Sequence, residues 1–96
     1  MVIDQKLKEK NLHLKEKAEK IKVILTDVDG VLTDTGIYYG PDGEALKRFS
    51  IRDGMGVERL RKYAGIETII ITGENSKTVK SRAEKLKMQE FYLGVN

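Results

Sequence analysis

Asp27 and Asp29 stand on either side of Val28 at the end of a short apolar run, Lys22-Val23-Ile24-Leu25-Thr26, with Gly30 directly after them. Side chains on a strand alternate between faces, so two acids separated by one residue point the same way. Inside a sheet they would repel each other with little water between them. At the carboxyl end of a parallel strand they open into the crevice where α/β sheets bind ligands. A cation relieves the repulsion there. Carboxylate oxygens suit Mg²⁺, and one carboxylate remains to attack an electrophile.

A second apolar run, Ile66-Glu67-Thr68-Ile69-Ile70-Ile71, ends in Thr72-Gly73. Thr72 offers a hydroxyl donor, and Gly73 lets backbone N–H groups approach an oxyanion. A helix starting near Ser76 turns its positive end to the same place. Adjacent parallel strands lie roughly 4.8 Å apart, so the two strand ends face one small anion. Phosphoryl transfer suits these parts: attack on phosphorus, with the equatorial charge taken up by a cation and donors.

The elements that must position these groups follow from the pattern. Residues 4–20 are mostly Lys, Glu and Gln around Leu7, Leu12, Leu14 and Ala18. Leu7, Leu14, Ala18 and Ile21 share one helical stripe, which predicts a charged amphipathic helix over 1–20 that packs on the domain or on a neighbouring subunit. His13 within it is expected to be solvated. The core is expected over 21–96 and begins with a buried strand ahead of Asp27. Thr35 to Tyr39, the turn Gly40-Pro41-Asp42-Gly43 and the return Glu44 to Ser50 predict a hairpin at about 35–50. A crossover helix is the usual continuation of such a strand, so the hairpin reads as a flap over the active end, or more plainly as an edge extension. Asp53-Gly54-Met55-Gly56 then opens a helix, with Asp53 as its cap, Val57, Leu60 and Ala64 inward and Gly65 at its end. Ile66 to Gly73 is the next buried strand. Ser76 to Lys87 is a helix with Val79, Ala83 and Leu86 inward, and Glu90 to Leu93 is a third strand. This order predicts a right-handed parallel α/β unit.

Composition narrows the setting. The 96 residues make one small domain, which buries roughly 60% or more of its unfolded surface. There is no cysteine, so disulfide and thiol chemistry are excluded and a reducing cytoplasm is the expected location. No apolar run reaches the length of a membrane span, and no signal-peptide pattern opens the chain. The net charge of +3 comes mostly from the lysine-rich start. Acids are mixed through those lysines and aromatics are few, which speaks against nucleic acid as a partner.

Asp27-Val28-Asp29-Gly30-Val31-Leu32 resembles the first motif of the haloacid dehalogenase superfamily of phosphatases, and Ile71-Thr72-Gly73 resembles the second. The hairpin, Ile51-Arg52-Asp53-Gly54-Met55-Gly56-Val57 and Ile70 to Ser76 are similar to one branch of it. That branch comprises the 3-deoxy-D-manno-octulosonate 8-phosphate phosphatases and their nononate or sialic-acid 9-phosphate relatives. The resemblance runs from about Ile21 to Asn96. It implies a Rossmann-like parallel sheet with a hairpin flap after the first strand, and Mg²⁺ as cofactor. It assigns Asp27 as nucleophile and metal ligand. Asp29 becomes general acid and then base, with its backbone carbonyl on the metal, and Thr72 binds the transferring phosphate. It also implies a small sugar-phosphate substrate and a homo-tetramer in which a neighbour's surface covers the site.

Gly73-Glu74, with Arg82 and Lys85, looks more like the 9-phosphate relatives, since many octulosonate phosphatases carry Gly-Arg there. Glu74 suits hydroxyl or ammonium groups, and Arg82 and Lys85 lie on one helix face and suit a carboxylate. A solvated charge pair is the simpler account of those two. The family's later lysine and acidic metal ligands lie beyond Gly94-Val95-Asn96, so the chain is expected to be the N-terminal half of the usual core, with its first strand at a bare edge. The expected activity is octulosonate 8-phosphate hydrolysis through an aspartyl-phosphate. The alternatives are 9-phosphate hydrolysis and a non-catalytic assembly or binding module.

Overall fold

The computed structural model describes residues 2–96; Met1, the first residue of the predicted N-terminal helix, lies outside them. Helix α1, Val2–Ala18, forms where the stripe of Leu7, Leu14 and Ala18 places a helix. Its leucines find no partner on the domain: Leu7, Leu12 and Leu14 are all exposed. Of the two packing expectations, the one against the domain is therefore not met. The chain then enters β1, Val23–Thr26.

Strand β1 pairs in parallel with a later strand, Glu67–Ile71, in the register Val23↔Glu67 to Thr26↔Ile70. A hairpin intervenes between them, β2 (Thr33–Gly40) and β3 (Gly43–Phe49), followed by helix α2 (Ile51–Ala64). The strand Glu67–Ile71 is thus β4. After it come α3 (Lys77–Lys85) and β5 (Phe91–Tyr92), and the parallel sheet has the order β1-β4-β5. The predicted α/β unit with a hairpin flap after its first strand is the observed one.

Four local expectations are corrected. Strand β1 is not buried, since Val23 is 47% and Leu25 63% exposed. It pairs on one side only, and the sheet face carrying Val23 and Leu25 is open, while Thr68 and Ile70 of β4 are buried on the other face. The flap starts at Thr33 rather than Thr35. Helix α2 starts earlier than Asp53, because Ser50 takes the cap: its backbone is extended and its Oγ accepts the N–H groups of Arg52 and Asp53. Asp53 lies in the first turn, where its charge still favours the helix dipole. The inward face of α2 is also narrower than expected, with Val57 buried, Leu60 half-buried and Ala64 exposed.

The other helix signals hold. Gly65 closes α2 with φ 66°, the left-handed conformation that glycine adopts at no steric cost. Ser76 caps α3 by accepting the Val79 N–H. The core gathers Val28, Val57, Ile70, Val79, Ala83, Leu86 and Met88, with Leu32, Phe49, Phe91 and Leu93 packed around it. Helices α2 and α3 thus cover one sheet face, and the base of the flap, through Phe49, joins the same cluster.

Candidate active site

Strands β1 and β4 run parallel and in register, so both end on one edge. Asp27 follows Thr26 there, and Thr72 follows Ile71. This is the juxtaposition the sequence predicts. Asp27 is exposed, and its Oδ1 accepts the N–H of Val28 at 2.7 Å, which leaves the other oxygen open. Val28 is fully buried and anchors the turn: its carbonyl accepts the N–H groups of Val31, Leu32 and Thr33. Gly30 sits in this turn at φ 81°, where an added Cβ would also stand 3.2 Å from the Thr35 side chain.

Thr72 is buried, and its hydroxyl oxygen accepts the Glu74 N–H at 3.3 Å, so the hydroxyl hydrogen is left to donate. The turn after β4 is braced from the chain end: Thr72 N–H donates to Tyr92 O at 2.9 Å and Val95 N–H to Thr72 O at 3.0 Å. An added Cβ at Gly73 would lie 3.3 Å from the Val95 carbonyl oxygen, so the close approach the sequence assigned to Gly73 is here made by backbone.

Asp29, between Val28 and Gly30 in the turn after β1, reaches the flap. Its Oδ1 accepts a hydrogen bond from Lys47 Nζ at 2.9 Å, and the Lys47 side chain has no exposed surface. Lys47 also pairs with Glu44 Oε1 at 3.3 Å. Glu44 Oε2 accepts from Ser76 Oγ at 2.5 Å and from Thr78 Oγ1 at 2.8 Å. One chain of contacts therefore links the Asp27–Asp29 turn, the flap and the first turn of α3. Burial alone would lower the Lys47 ammonium, yet Asp29 and Glu44 outweigh it and hold the group above the usual lysine range. Burial would likewise raise the Glu44 carboxyl, but donation from Ser76, Thr78 and Lys47 prevails and holds it below the usual range.

The sequence does not single out Lys47 and Glu44, because Glu44 to Ser50 reads only as a return strand. Half of the signal is there: alternation puts Lys47 on the face of Phe49, which is apolar and inward. Glu44 lies an odd number of residues away and should point outward. The hairpin register shifts between Tyr38 (opposite Leu46) and Tyr39 (opposite Glu44), leaving one extra residue on β3. Such a bulge turns Glu44 onto the lysine's side.

Arg82 and Lys85 do not join this group within one chain. The Arg82 guanidinium donates to the Ser50 carbonyl at 3.0 Å and lies 5.5 Å from the centre of the Phe49 ring. Lys85 is exposed in the last turn of α3, at the end away from the site. Glu74 does face the site's surroundings. With Tyr39, Asp42, Glu44, Asn75 and Lys77 it lines a polar cleft of about 390 Å³ between the flap and the head of α3.

Among the described residues, no group of three or more His, Cys, Asp or Glu side chains is arranged to hold a metal. The oxygen donors that the turn after β1 offers are those of Asp27 and Asp29, whose roles as metal ligands are implied by the resemblance. They fit Mg²⁺, which is held by one or two carboxylates and completes its shell with water and substrate phosphate oxygens.

The topology, the acid-bearing turn after β1 and the hydroxyl after β4 define the N-terminal half of a haloacid dehalogenase-type fold. No protein-family model matches the chain. Its relatives among known proteins agree with the topology. Over 81 residues it is 41% identical to the 3-deoxy-D-manno-octulosonate 8-phosphate phosphatase of Haemophilus influenzae, a match covering 84% of this chain and 44% of that protein. The phosphatase of the same name from Moraxella catarrhalis, solved with magnesium, phosphate and KDO, superposes with a TM-score of 0.75 at 39% identity, over 83% of this chain and 45% of that one. A Legionella pneumophila structure ascribed to the same superfamily, subfamily III A, has a TM-score of 0.81 at 39% identity, over 94% of this chain and 49% of its own. The chain thus spans a little under half the length of the phosphatases it resembles, and it corresponds to their N-terminal part.

Proposed function

We propose that this chain carries the nucleophile and phosphate-binding half of a Mg²⁺-dependent phosphatase acting on an acidic keto-sugar phosphate, 3-deoxy-D-manno-octulosonate 8-phosphate. The observation that carries the reading is the placement of Asp27 and Thr72 at the ends of adjacent parallel strands. The open oxygen of Asp27 attacks phosphorus and forms an aspartyl-phosphate as the bond to the sugar oxygen breaks. The Thr72 hydroxyl and the head of α3 donate to the equatorial oxygens. Asp29, in its acid form, gives its proton to the leaving sugar oxygen. As a base it then takes a proton from the water that attacks phosphorus, which releases phosphate and restores Asp27. Asp27 and the Asp29 carbonyl would hold Mg²⁺, which would supply positive charge to offset the repulsion between phosphate and nucleophile.

Glu74 favours a second substrate within this reaction. It stands in the cleft beside the flap and suits the hydroxyl or ammonium groups of a nononate or sialic-acid 9-phosphate. Arg82 and Lys85, which lie three apart on one helix, suit a substrate carboxylate. The test is phosphate release from the 8- and 9-phosphates, with Mg²⁺ and with excess chelator. Asp27→Asn should lower Mg²⁺-dependent release by about 10⁴-fold or more with an unchanged circular dichroism spectrum. Release that survives the substitution removes Asp27 from the nucleophile role. A folded parent chain that releases nothing supports the assembly module instead.

A further inference from the structure

Lys47 joins the flap to a proposed catalytic group, Asp29, and its surroundings leave its ammonium little choice of direction. The side chain has no exposed surface, so water does not compete for its hydrogens. Its partners are Asp29 Oδ1 at 2.9 Å and Glu44 Oε1 at 3.3 Å. Glu44 is itself held by two hydroxyls from the first turn of α3, at 2.5 Å and 2.8 Å. A lysine on a mobile flap would contribute only charge. Here the lysine is fixed from behind by a carboxylate anchored on the core.

We propose that Lys47 is a positioning residue: from inside the flap it sets the direction of the Asp29 carboxyl, and Glu44, anchored on Ser76 and Thr78, sets Lys47. Proton transfer to the leaving oxygen then depends on the flap being docked, whereas attack by Asp27 does not, because Asp27 makes its hydrogen bond within its own turn. The inference rests on the phosphatase reading for its kinetic consequence, but its geometric content stands apart from turnover.

Two substrates separate the steps. The sugar phosphate has a poor leaving group that needs a proton, and p-nitrophenyl phosphate has one that leaves without it. Lys47→Met should lower kcat on the sugar phosphate by about 100-fold, the scale of a lost general acid. First-turnover release of nitrophenolate, which reports attack by Asp27 alone, should stay within about threefold, while steady-state turnover of the ester falls as well because Asp29 also activates the water. Lys47→Arg should recover part of the loss, and Glu44→Gln, which keeps the lysine, should show the same pattern to a smaller degree. A matching loss of first-turnover nitrophenolate release in folded variants, or no loss on the sugar phosphate, overturns the proposal. If the parent chain hydrolyses neither substrate, the phosphatase reading fails, and the positioning claim is decided by NMR on the unliganded protein. In Glu44→Gln and Lys47→Met the Asp29 carboxyl ¹³C shift and side-chain couplings should change while those of Asp27 hold. An unmoved Asp29 overturns it.

Discussion

A single side chain shows how closely the core is specified. Ile70 lies on β4 in the middle of the sheet, is fully buried, and packs in the cluster of Val28, Val79 and Ala83. It is also one of the β4 residues immediately ahead of Thr72. Ile70→Ala removes buried methyl groups and leaves a cavity, at about 2–5 kcal/mol. Chemical denaturation should show that loss as a lower urea midpoint with an unchanged slope. A loss below about 1 kcal/mol would mean the two helices collapse onto the gap. Asp27, Asp29 and Thr72 are legible in the sequence because their chemistry coincides with a strand end and a following glycine. Lys47 is not, because nothing in Glu44-Ala45-Leu46-Lys47 announces the bulge that turns Glu44 onto the lysine's face.

At the scale of elements, the flap is attached to the core by polar contacts as much as by packing. On the outer side Arg48 pairs with Asp34, but both are exposed, and such a pair contributes little. The Glu44 contacts to Ser76 and Thr78 are partly buried and carry the sign of a pH dependence. The Glu44 carboxyl is held below its usual range in the folded chain. A depressed carboxyl stabilises the fold at pH above its unfolded value, about 4.3, and that contribution is lost as pH falls through the lower, folded value. The urea midpoint should thus decline on acidification below about pH 5, and Glu44→Gln should decline less steeply. Identical acid limbs would show that Glu44 titrates as an ordinary surface acid. The same element explains why the start of α2 differs from its sequence signal. Ser50 and Asp53 are both good caps, and only the hairpin's extended exit at Phe49 decides that Ser50 takes the role.

At the scale of the molecule, dimensions of 59 × 27 × 26 Å describe a small α/β body with α1 projecting from it. A helix of 17 residues is about 25 Å long, and the exposed leucines along it contribute no core. The apolar run that makes β1 look buried is real. Burial, however, depends on what lies beside and above a strand, and no local pattern reports that for Val23 and Leu25. The same reasoning separates α1 from the fold. The sheet begins at Val23, and a groove lined by Lys15, Ala18, Glu19, Ile21, Ala64 and Ile66 lies at the base of α1. Removing residues 1–18 should leave the near-ultraviolet spectrum of the remaining chain intact and shift its Tm by no more than about 2 °C, well under the 4–8 °C that accompanies 1 kcal/mol in a domain of this size. If α1 instead covers the open face of a neighbouring copy, the same deletion lowers both Tm and the sedimentation coefficient. The two measurements together tell an independent helix from one that is part of an assembled fold.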